Sequence, residues 1–280
     1  MIKNFKICAF ADEASDQLDE QIKALLDNQM DGLEIRGVDG QNIADVTPDK
    51  AKEIAKKLQD NGLCTWSIGS PIGKIGIEED FAPHFDKFKR LMETADILGA
   101  KTFRLFSFFI EKDKNPADFA DAVLERLSRF CDYAKGSGIV LCHENEKGIY
   151  GDIASRCLTI HQALPELKAV FDPANFIQCG QETLSAYEQL KPYVYYMHIK
   201  DALENGDVVP AGKGIGHVGE IIRMYGENGG SVLTLEPHLK VFDGLQALER
   251  EGEKSNVGAY AFESQRAAFD AGAAALRALL

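Results

Sequence analysis

The sequence predicts a single (β/α)8 TIM barrel over residues 1–280, and three observations carry that reading. Short β-prone runs alternate with longer segments of helical periodicity, the pattern of repeated βα units around a parallel sheet. Eight such runs fit in the 280 residues, which favours a closed barrel over a doubly wound open sheet built from the same alphabet. Four runs in the second half each stop at a residue that can bind a metal: LCHE at Glu144, VFD at Asp172, YYMH at His198 and LTLE at Glu236.

The predicted strands, in order, run from Lys6 to Ala11, Gly32 to Arg36, Cys64 to Ile68, Thr102 to Ser107, Ile139 to Glu144, Ala169 to Asp172, Tyr195 to Lys200 and Val232 to Glu236. Helical segments lie between them. In Pro48 to Asn61, residues Ala51, Ile54, Ala55 and Leu58 share one apolar face; Thr47 caps the first turn, Pro48 suits the first helical position and Gly62 ends the helix. Similar helices are expected from Asp80 to Leu98 and from Pro116 to Lys135, each followed by glycine. The Ala- and Leu-rich tail, Ser264 to Leu280, reads as a last helix packed outside the barrel.

Composition narrows the function classes. With 45% hydrophobic and 27% charged residues, the chain has ample material for a core. A net charge of -13 argues against a nucleic-acid partner, which needs clustered Lys and Arg. No apolar stretch approaches the roughly 18 residues of a membrane span. The six cysteines are scattered without a C-x-x-C pair, which fits reduced thiols and a cytoplasmic location.

Residues at the carboxyl ends of neighbouring barrel strands converge on one pocket, so Glu144, Asp172, His198 and Glu236 are expected to form one site despite their separation in sequence. Any one alone could be a loop cap or an ion-pair partner. Together, on four consecutive strands, they form the donor set of one divalent ion. Carboxylate oxygens suit Mg²⁺ and Mn²⁺, and the imidazole shifts preference toward Mn²⁺, Co²⁺ or Zn²⁺; manganese is the leading choice. Three ionised carboxylates against a 2+ ion leave a charge of about -1, which suits a neutral polyol or carbonyl substrate.

Two motif matches fail on context. Gly214, Gly216 and Gly219 satisfy G-x-G-x-x-G, but no clear strand runs directly into them. His143 and Glu144 begin H-E-x-x-H, yet position 147 is Lys.

The segments CHENEKGIYGD, FDPANF, HIKDA, GKG and LEPH resemble successive segments of the xylose-isomerase-like barrel superfamily, which includes sugar-phosphate isomerases and epimerases. The resemblance is detailed in the carboxyl-terminal half and rests on βα rhythm in the other. It implies Glu144, Asp172, His198 and Glu236 as metal ligands, with Glu144 and Glu236 also serving as acid and base on opposite faces of the substrate. Physical chemistry agrees: a chelated carbonyl and hydroxyl acidify the C–H between them, and the metal stabilises the resulting enediolate. Many members carry His three residues after the metal-binding Asp; here Asn175 stands there and would have to order the substrate as a neutral group.

Further substrate contacts are expected from Lys200, two residues after His198 on the same strand side, from Lys213 in a glycine loop, and from Trp66 as a sugar-stacking ring. For Lys200 the competing reading is an exposed lysine beside Asp201, and for Trp66 it is core packing. Glu146 and Lys147 read as solvated loop. Glu34, Arg36 and Arg104 fit either a buried charge cluster or a sugar-binding wall, and GSPIGK reads as a loop over the mouth.

The leading expectation is a metal-dependent sugar isomerase or epimerase acting on a small-molecule carbohydrate, with homo-oligomerisation left open. A lyase, dehydrating or decarboxylating a related keto compound, is the nearest alternative. A noncatalytic sugar-binding barrel and a hydrolase resembling endonuclease IV stand behind it; the latter assembles its zinc cluster from many histidines, and here only His198 of six falls in the ligand set.

Overall fold

The computed structural model describes residues 5–242, 257 and 260–280. Eight parallel strands close into a barrel, each hydrogen-bonded to its sequence neighbours: β1 Lys6–Ala9, β2 Gly32–Ile35, β3 Cys64–Gly69, β4 Thr102–Leu105, β5 Val140–Glu144, β6 Lys168–Phe171, β7 Val194–Ile199 and β8 Val232–Leu235. The β1–β8 pairing, from Lys6 opposite Val232 to Ala9 opposite Leu235, closes the ring. All eight predicted strands are present, with ends that differ from the expected ones by one or two residues. The barrel is a (β/α)8 TIM barrel.

The helices form where their capping chemistry predicts. Thr47 Oγ1 accepts from Lys50 N at 3.3 Å to start Pro48–Asp60, and Gly62 beyond its end has φ +70. Asp80 caps Phe81–Ile97 through Ala82 N. The segment expected as one helix from Pro116 divides into a 3-10 turn, Pro116–Phe119, and an α-helix, Ala120–Ala134, because Asn115 caps a tight first turn. Gln265–Arg277 packs its buried Phe269, Ala273 and Leu276 on the outside of the barrel. Among the described residues no helix is long and apolar enough to cross a membrane.

Apolar side chains fill two zones. Outward strand residues such as Leu33, Phe103, Phe171, Met197 and Leu233 meet Ile54, Phe88, Leu127 and Ile221 of the helices. Inside the barrel, Cys8, Trp66, Cys142, Val170, Tyr196 and Val232 form a lower layer near the amino ends of the strands. A register shift between Leu33 and Glu34 against β3 skips Trp66, so Trp66 and Ser67 both reach the interior. Above this layer the interior turns charged.

Candidate metal centre

Glu144 is the last residue of β5, Asp172 and Glu236 follow β6 and β8 directly, and His198 is the penultimate residue of β7. The barrel turns all four inward at one level. One ligand atom from each lies within 4.8 Å of the others, and all four side chains are buried. His198 Nδ1 faces this cluster, 2.9 Å from Glu144 Oε1, 3.4 Å from Glu236 Oε2 and 4.0 Å from Asp172 Oδ2. Burial opposes a charge on His198, but Glu144 and Glu34 outweigh it and raise its pKa well above the ordinary histidine value.

The carboxylates are held from behind. Arg104 Nε lies 3.2 Å from Glu144 Oε2, an ion pair without hydrogen-bond alignment. Arg36 donates through Nη1 to Glu236 Oε1 at 2.9 Å and clamps Asp12 with Nε and Nη2 at 2.8 and 3.0 Å. Its guanidinium lies 4.3 Å from the Phe10 ring and 4.9 Å from that of Phe242. Asp172 spends Oδ1 on Asn175 N at 2.9 Å as the cap of Pro173–Gln178, while Oδ2 accepts no aligned hydrogen bond and lies 2.9 Å from Lys200 Nζ. Burial, first, and the neighbouring carboxylates raise the Asp172 pKa to about 7, despite Lys200. Glu236 goes the other way: burial is outweighed, chiefly by Lys200, and its pKa falls well below the carboxylate range.

This donor set fits a divalent ion. Three carboxylates and one imidazole converge, one buried oxygen has no aligned donor, and the far nitrogen of His198 is held in turn: Nε2 sits 3.1 Å from Glu34 Oε2, and Glu34 Oε1 accepts from Tyr196 Oη at 2.9 Å. Glu34, Arg36 and Arg104 thus form a charged wall behind the cluster. Their types and strand positions were visible in the sequence, but their pairing across the barrel was not.

The other expected residues separate. Lys200 is buried and bridges Asp172 and Glu236 at 2.9 and 3.1 Å, so the exposed-lysine reading fails; Asp201 faces away from it. Asn175 directs its amide nitrogen to Glu144 Oε1 at 3.2 Å and Asn145 O at 2.9 Å, and therefore steadies Glu144 rather than offering that NH2 to a substrate. Trp66 lies in the lower layer at the other end of the barrel, stacked on Tyr195 at 6.1 Å and 11°; the strand register places it there, and the sugar-stacking expectation gives way to core packing. Lys213 is exposed on its loop, and its backbone N–H donates to Pro210 O. The glycines around it serve Asp201, whose carboxylate accepts from the N–H groups of Ala202, Gly212, Gly214 and Gly216 at 2.9 to 3.0 Å. Added Cβ atoms at Gly214 and Gly216 would lie 2.4 and 2.6 Å from Asp201 Oδ1, which explains the glycine spacing without a dinucleotide.

Glu146 is not a solvated loop residue. It pairs with Lys74 of the GSPIGK loop at 2.8 Å, and Lys74 Nζ lies 4.4 Å from the Phe106 ring. That loop is pinned where Gly73 N donates to His84 Nε2 at 2.7 Å.

The sequence matches the xylose isomerase-like TIM barrel family over residues 22–252, and the chain belongs to that family. Among solved structures it is similar to the IOLI protein with a bound zinc atom, at TM-score 0.74 and 16% identity, covering 98% of this chain and 97% of that one. It is also similar to the probable 3-DHS dehydratase AsbF from Bacillus anthracis (TM-score 0.67, 19% identity, 83% and 92% covered). A third is the 3-keto-D-glucoside 4-epimerase YcjR from E. coli (TM-score 0.66, 14% identity, 87% and 96% covered). No curated protein sequence matches the chain.

Proposed function

We propose that this chain is a single-domain, divalent-metal-dependent isomerase or epimerase of a small carbohydrate, with Glu144, Asp172, His198 and Glu236 as ligands. The observation that carries the reading is the pairing of Glu144 and Glu236. They approach the same His198 nitrogen from separate strands, and each has its own arginine, Arg104 and Arg36. A divalent ion of the manganese, magnesium, cobalt or zinc type, when bound, supplies Lewis-acid polarisation of a substrate carbonyl.

The protein's own groups supply the rest. Glu236, ionised across the neutral range, accepts a proton from the carbon beside the carbonyl, and Glu144 returns one on the other face. Lys200 directs its buried ammonium at the oxygens bound between Asp172 and Glu236 and steadies negative charge developing there. A neutral sugar suits a pocket whose carboxylates are already matched by Arg36, Arg104, Lys200 and the ion.

The test is incubation of metal-loaded protein with a panel of ketoses and aldoses in deuterated water. The expected result is an isomer or epimer carrying deuterium at the reacting carbon. Absence of both product and carbon-bound deuterium across the panel overturns the reading, and a dehydrated or decarboxylated product reassigns the site to a lyase.

A further inference from the structure

The opposite mouth of the barrel holds a second cluster of reactive side chains, Lys6, Cys8 and Cys64, and strand register assembles it. Cys8 of β1 stands opposite Gly32 of β2, and Gly32 stands opposite Cys64 of β3. Gly32 places no side chain between them; a Cβ there would lie 2.7 Å from Cys64 Sγ. The two cysteines therefore face each other across this gap. Lys6 Nζ donates to Cys64 Sγ at 3.8 Å. Cys8 is wholly buried, whereas Cys64 is only partly buried and Lys6 is exposed, so Cys64 is the member of the pair nearer solvent.

We propose that Cys64 is an oxidant-modified site: its thiolate, held by Cys8 and Lys6 at the amino-terminal mouth, reacts with hydroperoxides to give a sulfenic acid. The sulfur attacks one peroxide oxygen, the S–O bond forms as the O–O bond breaks, and the departing oxygen takes a proton from solvent and leaves as water or an alcohol. Sulfur loses two electrons and the peroxide gains them.

The surroundings favour this cysteine over the rest. The neighbouring Cys8, and then the charge of Lys6, bring the Cys64 thiol down to about 6 against burial and the nearby Asp31 carboxylate, while Cys8 itself is pushed well up. Burial pushes Cys131 and Cys179 up to about 12 and raises Cys142 and Cys157 as well. The product stops at the sulfenic acid. Cys8 and Cys64 are two strands apart, a Cα separation of about 9 Å from the ordinary strand spacing, beyond the ~7 Å a disulfide spans without backbone movement.

The test treats the full chain with limiting hydrogen peroxide in the presence of a 1,3-dione that traps sulfenic acids, followed by peptide mass spectrometry. Cys64 is expected to carry the label ahead of the other five cysteines. Alkylation of Cys64 by iodoacetamide, followed against pH, is expected to have its midpoint below that of an ordinary thiol, near 8.5. Lys6→Met and Cys8→Ala should each raise that midpoint and slow labelling at neutral pH several-fold; Lys6 is exposed, so its replacement leaves the core intact. Preferential labelling elsewhere, an ordinary midpoint at Cys64, or a Cys8–Cys64 disulfide would each overturn the proposal.

Discussion

Glu34 Oε2 lies 3.1 Å from His198 Nε2, so the imidazole nitrogen facing away from the carboxylate cluster is held by a residue from the other half of the chain. Tyr196 Oη fixes the second oxygen of Glu34, and Ser67 Oγ lies 3.2 Å from that hydroxyl. A carboxylate behind a ligating histidine sets its tautomer and strengthens it as a donor. Glu34→Gln is therefore expected to weaken divalent-ion binding by about 10- to 100-fold with the fold retained. Calorimetric titration with Mn²⁺ and Zn²⁺, alongside circular dichroism, checks this; unchanged affinity would remove Glu34 from the site's support.

Lys200 should act in the opposite direction. Its ammonium lies 2.9 Å from Asp172 Oδ2 and 3.1 Å from Glu236 Oε2, oxygens of two residues proposed as metal ligands. Lys200→Met removes that positive charge and is expected to tighten metal binding by roughly tenfold, while lowering kcat on the true substrate. A parallel loss of metal affinity and activity would instead mean that Lys200 holds the ligands in place.

Glu144→Gln and Glu236→Gln should each slow interconversion of the epimers by about 10² to 10⁴, as expected for removal of a general acid or base. The two variants are expected to differ in which epimer still exchanges its C–H, because each glutamate serves one face of the substrate. Single-turnover exchange followed by NMR from both epimers measures this. Equal residual exchange from both would argue against the two-sided arrangement.

The glycine loop depends on Asp201, which accepts four backbone N–H groups. Asp201→Ala leaves those donors without their acceptor and is expected to cost about 3 kcal/mol in urea denaturation. Gly214→Ala should be comparably disruptive, since its Cβ would lie 2.2 Å from Ala202 O.

Two histidines outside the carboxylate cluster predict an acid-sensitive fold. Burial holds His84 and His161 at about 4, below the ordinary 6.5, and His84 does its work as a neutral acceptor for Gly73 N. Between these values the unfolded chain binds more protons than the folded one. The stability they contribute is thus present above pH 6.5 and lost as pH falls toward 4, on the order of 2 to 3 kcal/mol each. Denaturation midpoints against pH should decline over this window, and His84→Gln should flatten the decline.

Periodicity and capping residues located the eight strands, the Pro48–Asp60 and Phe81–Ile97 helices and the terminal helix, because each depends on neighbours a few residues away. The apolar runs ending at Glu144, Asp172, His198 and Glu236 also marked the site, since parallel strands in a barrel bring their carboxyl ends together. Trp66 went astray for the converse reason. Its height in the barrel depends on a register shift opposite Glu34, and no local signal encodes that.

By itself, the sequence determined the barrel, the level of the pocket and the four residues able to hold an ion. Only the tertiary structure decided what stands behind them: Glu34 on His198, Arg104 beside Glu144, Arg36 on Glu236 and Asn175 turned toward Glu144. The physical reason is that strand ends are set by local patterning, whereas buried charges choose partners across the barrel. Their separations, 164 residues from Glu34 to His198 and 200 from Arg36 to Glu236, carry no trace in either neighbourhood.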